Sequence, residues 1–225
     1  MKTRILWFLL WVMAVPVGID AQSIHPFFLE DDLAFKPELV GEWKLDGDVV
    51  EFRDLGNKTY GAVLRDGDQS AILFRVHLFR IEQKYFLDAQ VTGIRESKPA
   101  CTESSDGHPA AIAVTDHDFE LDSEDSMFLN HQHLLLRAQL GEDKNEFSIA
   151  FLKEDWARIQ EEAGGLSVAH TRDDNHQLLL IAESDDLRAW VRELPEESFE
   201  GAEKMQRAET KTDSSAVAAP SGQPQ

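Results

Sequence analysis

The sequence predicts a mainly β protein of the α+β class, an antiparallel barrel-like or strongly curved sheet with two helices near the C-terminal end. Two observations support this prediction. Short stretches of alternating apolar and polar residues follow one another closely between residues 40 and 152, and Asp- and Gly-rich turns separate them. Two stretches with helical spacing of apolar residues then follow, at 153–163 and 184–194.

The residues before this domain have the pattern of a secretory signal. Lys2 and Arg4 precede an apolar run at 5–15, and Ala21 offers a cleavage point. The run is shorter than the roughly 20 residues of a membrane-spanning helix, although a short uncleaved anchor remains the alternative. We therefore expect an exported protein, periplasmic or secreted, whose residues 22–39 form an N-terminal arm.

The charge of the chain excludes some classes of partner. The sequence has 22 Lys and Arg against 42 Asp and Glu, a formal net charge of −20. So acidic a protein is not expected to bind nucleic acid or to adsorb to anionic lipid, and we predict no stable membrane insertion once the signal is cleaved. Its charge favours solubility or a basic protein partner. Cys101 is the single cysteine, so an intramolecular disulfide is excluded.

The centre of the predicted sheet is a hairpin at 71–91. Side chains alternate between the two faces of a strand. One face of its first strand is wholly apolar and comprises Ile72, Phe74, Val76 and Leu78. The opposite face includes Arg75 and His77, and we expect the apolar face to be buried. If Arg75 or His77 points into a barrel, it can anchor a ligand carboxylate, and if it points outward it is an ordinary surface residue. The pattern leaves both interpretations open.

The other elements of the first half flank this hairpin. Alternation predicts further strands at 40–45, 49–52, 59–64, 127–140 and 147–151. Residues 92–126 interrupt the rhythm with Gly, Pro and Ser, which predicts a flexible insertion.

The second half mixes helices and short strands. The first helix ends before Gly164, and short strands are predicted at 166–170 and 177–182. Ser184 is the expected N-cap of the second helix, which Pro195 ends. Apolar residues become scarce from Gly201, so we predict one domain at 40–200 and a disordered tail at 201–225.

Several segments resemble a family of exported bacterial proteins with no established activity. They are FRVHLFRIEQKYFLDAQ, HLLLRAQL and EDWARIQEEAGGLSVAHTRDDNHQLLLIAESDDLRAWV with the following ESFEGAEKMQR. Gly41-Glu42-Trp43 is similar to the G-x-W that opens many lipocalin barrels. The resemblance covers 40–207 and implies a lipocalin-like, β-rich fold with closing helices and a bacterial source. It brings no catalytic residues, and the insertion at 92–126 departs from the family's shorter connection. The candidate ligand-binding residues are Trp43, Arg75 and His77.

One short motif suggests a metal site. His131 and His133 lie two residues apart, so on a strand both imidazoles point the same way and can reach one ion. A third ligand would have to come from His77, His170 or His176. The alternative is one histidine at a loop mouth and one fixed by a hydrogen bond.

Three function classes follow from these observations. The first is a non-catalytic binding module for a small amphipathic or apolar ligand. The second is an acidic envelope factor that binds a basic protein, and the third is a metal-dependent hydrolase that uses His131 and His133. Serine-nucleophile and phosphate-loop motifs are absent from the sequence. We therefore favour the binding module and predict no catalytic residue and no cofactor.

Overall fold

The computed structural model describes residues 22–45, 48–66, 70–96, 114–119, 132–173 and 177–208. The predicted signal at 1–21, Cys101, His131 and His176 lie outside these ranges. The strands within them are β1 (Gln22–Ser23), β2 (Gly41–Leu45), β3 (Asp48–Gly56), β4 (Thr59–Asp66), β5 (Ser70–Ile81), β6 (Lys84–Glu96), β7 (His133–Leu140), β8 (Glu146–Leu152), β9 (His170–Arg172), β10 (Leu178–Leu180) and β11 (Phe199–Arg207). The α-helices are α1 (Glu154–Glu162) and α2 (Ser184–Glu193).

Eight of these strands form a closed antiparallel barrel. Strands β2 to β8 pair in sequence order, and β11 lies between β8 and β2. The pairing of β6 with β7 completes the circle. Strands β1, β10 and β9 extend the sheet beside the first residues of β7. The predicted fold class, a mainly β barrel with two helices toward the C-terminal half, is therefore confirmed.

The barrel has two different ends. The connections from β2 to β3, from β4 to β5 and from β6 to β7 lie at one end, which we call the upper end. The lower end has the β3–β4 turn at Asn57-Lys58, the β5–β6 turn at Glu82-Gln83 and the β7–β8 turn at 141–145. Glu82 has φ of 55°, so a residue other than glycine takes the left-handed conformation in the central hairpin's two-residue turn.

Both faces of the central hairpin are covered. Strands β5 and β6 pair from Ser70–Glu96 to Ile81–Lys84. Ile72, Val76 and Leu78 are at most 3 % exposed and Phe74 is half-buried, as expected for the apolar face. Leu73 and Phe79 on the opposite face are also fully buried. Neither face of the hairpin is therefore a solvated surface, because a second layer of chain packs against the outside of the barrel.

The N-terminal arm and α2 form most of that layer. Phe27 is fully buried, and its ring lies 6.4 Å from that of Trp190 in α2. Asp32 accepts hydrogen bonds from Arg188 Nε and Nη2 at 2.5 and 2.7 Å. Burial alone would raise the pKa of Asp32, but the hydrogen bonds from Arg188 and from the Leu29 N–H hold it below its usual value. The arm is thus an integral part of the folded domain.

Part of the predicted insertion also packs on the outer wall. Phe119, at the end of a 3₁₀ turn at Asp116–Phe119, is fully buried over Gly61. Arg75 Nη2 donates to the Phe119 carbonyl oxygen at 2.9 Å, and Arg95 pairs with Asp118. The hydrogen bond from Arg95, with those from the Thr115 backbone and hydroxyl, lowers the pKa of Asp118 to about 2.

Three sequence predictions differ from the structure near the C-terminus. The tail predicted from Gly201 begins instead with most of β11, whose Met205 is 1 % exposed inside the barrel. Composition missed this strand because Met205 is its one fully buried residue. Residues 166–169 form no strand, and the strand observed here runs from His170 to Arg172. Ser184 is the first helical residue rather than the cap, which is Glu183 and makes no side-chain capping hydrogen bond.

Candidate functional site

The lumen of the barrel is lined by apolar side chains. Phe52 on β3 lies 6.0 Å from Phe147 on β8, measured between ring centroids, although β2 and β11 separate these strands in the sheet. This contact therefore crosses the lumen and shows which face of each strand points inward. The other buried lumen residues of the strands are Trp43, Val50, Tyr60, Ala62, Val76, Leu78, Leu87, Ala89, Leu136, Ala138 and Met205.

The chain before β2 closes the lower end. The Lys36 N–H donates to Tyr60 Oη at 2.6 Å, and Tyr60 Oη donates in turn to the Lys36 carbonyl oxygen at 3.2 Å. Burial raises the pKa of Tyr60 to about 12, which keeps the phenol protonated for this role. Trp43 Nε1 donates to the Leu39 carbonyl oxygen at 2.7 Å. Residues 36–39 are thereby fixed to lumen residues of two strands.

The last residue of β11 reinforces this closure. The Arg207 guanidinium lies 4.6 Å from the centre of the Trp43 ring, within the range of a cation–π contact. Arg207 also donates to the carbonyl oxygens of Val40 and Glu38. Trp43, the tryptophan of the predicted G-x-W motif, therefore lies in the wall at the closed end.

Several apolar side chains of the lumen lie near the upper end. Leu45, Leu64, Leu134 and Phe151 face the lumen close to this end, and all four are half-buried. Phe74, one step further down on β5, is half-buried as well. Apolar side chains of this kind line most of the sites that bind small molecules in proteins.

The structure separates the three predicted ligand-binding residues. Trp43 lies in the lumen wall, whereas Arg75 and His77 lie on the outer side of the barrel. The guanidinium of Arg75 donates a hydrogen bond to the Phe119 carbonyl oxygen, as described above. His77 Nε2 is 3.2 Å from Thr59 Oγ1, and its ring is 4.9 Å from that of Phe28. A ligand in the lumen would therefore touch Trp43 but neither Arg75 nor His77, and a binding role for these residues stays a prediction.

A buried carboxylate on the outer wall was not predicted. Asp88 on β6 is inaccessible to solvent. Its Oδ2 accepts from the Phe27 N–H at 3.0 Å, and its Oδ1 lies 2.7 Å from His133 Nδ1. His77 is the register partner of Asp88 on β5. This group joins the arm to β5, β6 and β7, and the one signal for it was the charge within the apolar alternation of YFLDAQV.

The surroundings of His77 favour its neutral form. Burial lowers the pKa of His77, and the nearby charges of Arg75 and His133 act in the same direction, while Asp88 opposes them. An uncharged imidazole fits its position between Thr59 and the Phe28 ring. The cluster is therefore a structural polar contact beneath the arm.

The predicted metal pair falls partly outside the described residues. His131 is not described, and Nδ1 of His133 faces Asp88. His170 lies on β9, where its Nδ1 is 2.8 Å from the Val168 carbonyl oxygen. Within the described ranges, no three or more His, Cys, Asp or Glu side chains are grouped so that they could hold a metal ion.

Comparisons with protein-family models, with curated proteins and with solved structures find no match to this chain. The resemblance to exported lipocalin-like proteins therefore stays a prediction. Among the described helices, none combines the length and the apolar character needed to cross a membrane.

Proposed function

We propose that this protein is an exported, non-catalytic binding protein whose barrel lumen holds a small apolar or amphipathic molecule. The observation that carries the proposal is the group of half-buried apolar side chains that face the lumen near the upper end. The chain before β2 and Arg207 contact Tyr60 and Trp43 at the lower end, so the half-buried side chains near the upper end are the ones we assign to a ligand. Eight-stranded barrels have an interior just wide enough to be filled by side chains or to hold one small ligand.

Export is the second part of the proposal, and the signal pattern at 1–21 supports it. We expect the protein recovered from the periplasm or the medium to begin at Gln22, and intact-mass measurement tests this. A product that keeps Met1 and stays in the cytoplasm would contradict export without bearing on the lumen.

Binding is tested with a neutral fluorescent probe that brightens in apolar surroundings, N-phenyl-1-naphthylamine. Titration of the purified mature protein is expected to give a saturable signal with one site per chain. A linear, unsaturable increase would contradict the proposal.

Two neighbouring positions on β2 provide a matched pair of variants. Leu45 is half-buried in the lumen near its upper end, and Lys44 is exposed on the outside. Leu45→Trp fills the lumen and is expected to weaken probe binding at least about tenfold, whereas Lys44→Trp leaves it unchanged. Equal affinities for the two variants would place the probe outside the barrel.

A further inference from the structure

The folded chain holds the residues that directly follow the predicted signal. On one edge of β1, Gln22 pairs with Leu134 of β7, and on the other edge it pairs with Leu179 of β10. Ser23 is inaccessible to solvent, and its hydroxyl oxygen accepts from the His25 N–H at 3.1 Å. Both edges of β1 are therefore taken by neighbouring strands.

The next residues of the arm are fixed as well. The Ile24 N–H donates to the Leu180 carbonyl oxygen at 3.1 Å, although the Ile24 side chain is exposed. Phe27 is fully buried, and its N–H donates to Asp88 Oδ2 at 3.0 Å. The chain from 22 to 27 is thus bound through its backbone to three strands, β7, β10 and β6.

The register of the sheet leaves no room for a longer β1. Strand β1 pairs with the first two residues of β7, and β8 takes the same edge of β7 from Leu136, which pairs with Phe151. A strand that extended β1 backward by two residues would lie opposite Leu136, in the place of β8. Each edge of a strand pairs with one neighbour at a given position, so this extension is excluded. The sheet therefore begins close to the predicted cleavage point at Ala21.

Resting on the proposed export, we propose that the Ala21–Gln22 bond is cut before the N-terminal arm docks, and that the docked arm protects this bond from a signal peptidase. The cut is a hydrolysis. Water adds to the Ala21 carbonyl carbon and the C–N bond breaks, which leaves a carboxylate on Ala21 and an α-ammonium group on Gln22. A peptidase has to bind the residues on both sides of the bond, and in the folded chain those after it are already paired with β7 and β10. A precursor that folds completely before it is cut is therefore a poor substrate.

Cleavage of the folded precursor requires the arm to open. Proteolysis of a protected bond proceeds through the molecules that are transiently open, so its rate falls in proportion to their population. Opening separates β1 from its two neighbours and breaks the hydrogen bond between Phe27 and Asp88. The barrel can stay closed meanwhile, because its eight strands pair with one another without β1. Protection is thus a local property of the arm.

Cell-free synthesis of the full-length precursor tests the order of the two events. In one sample a purified signal peptidase in detergent micelles is present during synthesis, and in the other it is added after the precursor has folded. Intact-mass measurement follows the product that begins at Gln22. We expect cleavage in the first sample and cleavage at least about tenfold slower in the second. Equal rates would overturn the protection, whereas absence of this product from the first sample would overturn the cleavage point and the proposed export with it.

Two variants loosen the arm at different points. Ile24→Pro removes the N–H that donates to Leu180, and Ile24→Ala is its matched control, because it changes the same exposed side chain but keeps the N–H. Asp88→Ala removes the acceptor of the Phe27 N–H and lies far along the chain from the bond that is cut. As folded precursors, Ile24→Pro and Asp88→Ala should be cut at least about fivefold faster than the wild type, and Ile24→Ala at the wild-type rate.

Cleavage during synthesis separates protection from recognition by the peptidase. Wild type and variants should be cut alike there, because the arm has not yet docked. If Ile24→Pro is not cut during synthesis, Asp88→Ala decides the question, and if Asp88→Ala does not fold, Ile24→Pro decides it. A folded variant that is cut during synthesis but is later as resistant as the wild type would overturn the role of the arm.

Discussion

Asp88 is expected to hold the N-terminal arm against the barrel, and Asp88→Ala tests this. The substitution leaves two donors without their acceptor, the buried Phe27 N–H and the Nδ1–H of the half-buried His133. An unsatisfied buried donor costs about 1–3 kcal/mol and the half-buried one costs less, so we expect the free energy of unfolding to fall by about 3 kcal/mol. For a domain of this size, about 2–4 °C of melting temperature corresponds to each kcal/mol, which gives a decrease of about 6–12 °C.

Asp88→Asn separates the two hydrogen bonds. The amide oxygen can still accept from the Phe27 N–H, and the amide nitrogen then faces His133. A neutral imidazole protonated on Nε2 can accept that bond, whereas a doubly protonated imidazole cannot. Asp88→Asn should therefore be milder than Asp88→Ala.

Circular dichroism melts at pH 8 provide the measurement, with Arg80→Ala as a control at an exposed position on the same hairpin. Hydrogen exchange at Phe27 reports the arm itself and should accelerate in Asp88→Ala before the barrel amides do. A melting temperature within about 2 °C of the wild type, less than a single kcal/mol, would refute the reasoning.

Three further outcomes are expected. Gly61→Ala should destabilise the fold, because its new Cβ would lie 2.8 Å from the ring of Phe119, and thermal melts will show a lower transition. Removal of 199–225 deletes β11 and should abolish the cooperative transition, whereas removal of 209–225 should leave the melting temperature unchanged. The pKa of Asp118 is lowered to about 2, so its contribution to stability is complete above its ordinary value near 3.8 and lost as the pH falls through about 2. Melts of Asp118→Asn should accordingly depend less on pH in that range.

Much of the barrel could be predicted because most of its strands have a local sequence pattern that identifies them. The alternation in β5 and β6 and the Asp- and Gly-containing turns before them depend on neighbours a few residues away. Strand β11 has no such signal. It is a strand because it pairs through backbone hydrogen bonds with β8 on one side and β2 on the other, and β2 lies more than 150 residues earlier in the chain. Pairing of this kind is a property of the closed barrel rather than of the composition of β11.

The outer layer could not be predicted for a related reason. Asp88 is satisfied by the arm, 61 residues earlier, and by His133, 45 residues later. Arg75 is satisfied by Phe119, 44 residues later. Alternation places both side chains on one face of the hairpin, but it does not say what covers that face. A charged residue with a distant buried partner looks the same in sequence as one that faces water.

The exposure of the apolar side chains on each face of the hairpin also indicates where a ligand can lie. On the outer side, Phe79 and Phe86 stack at 5.4 Å and are buried beneath the arm and α2. On the lumen side, Phe74 remains half-buried although it has the same apolar character. Among the apolar side chains of β5 on this face, Ile72, Val76 and Leu78 are buried, so Phe74 is the one that a ligand in the lumen can contact. That difference, rather than the presence of Arg75 and His77, favours the lumen as the binding site.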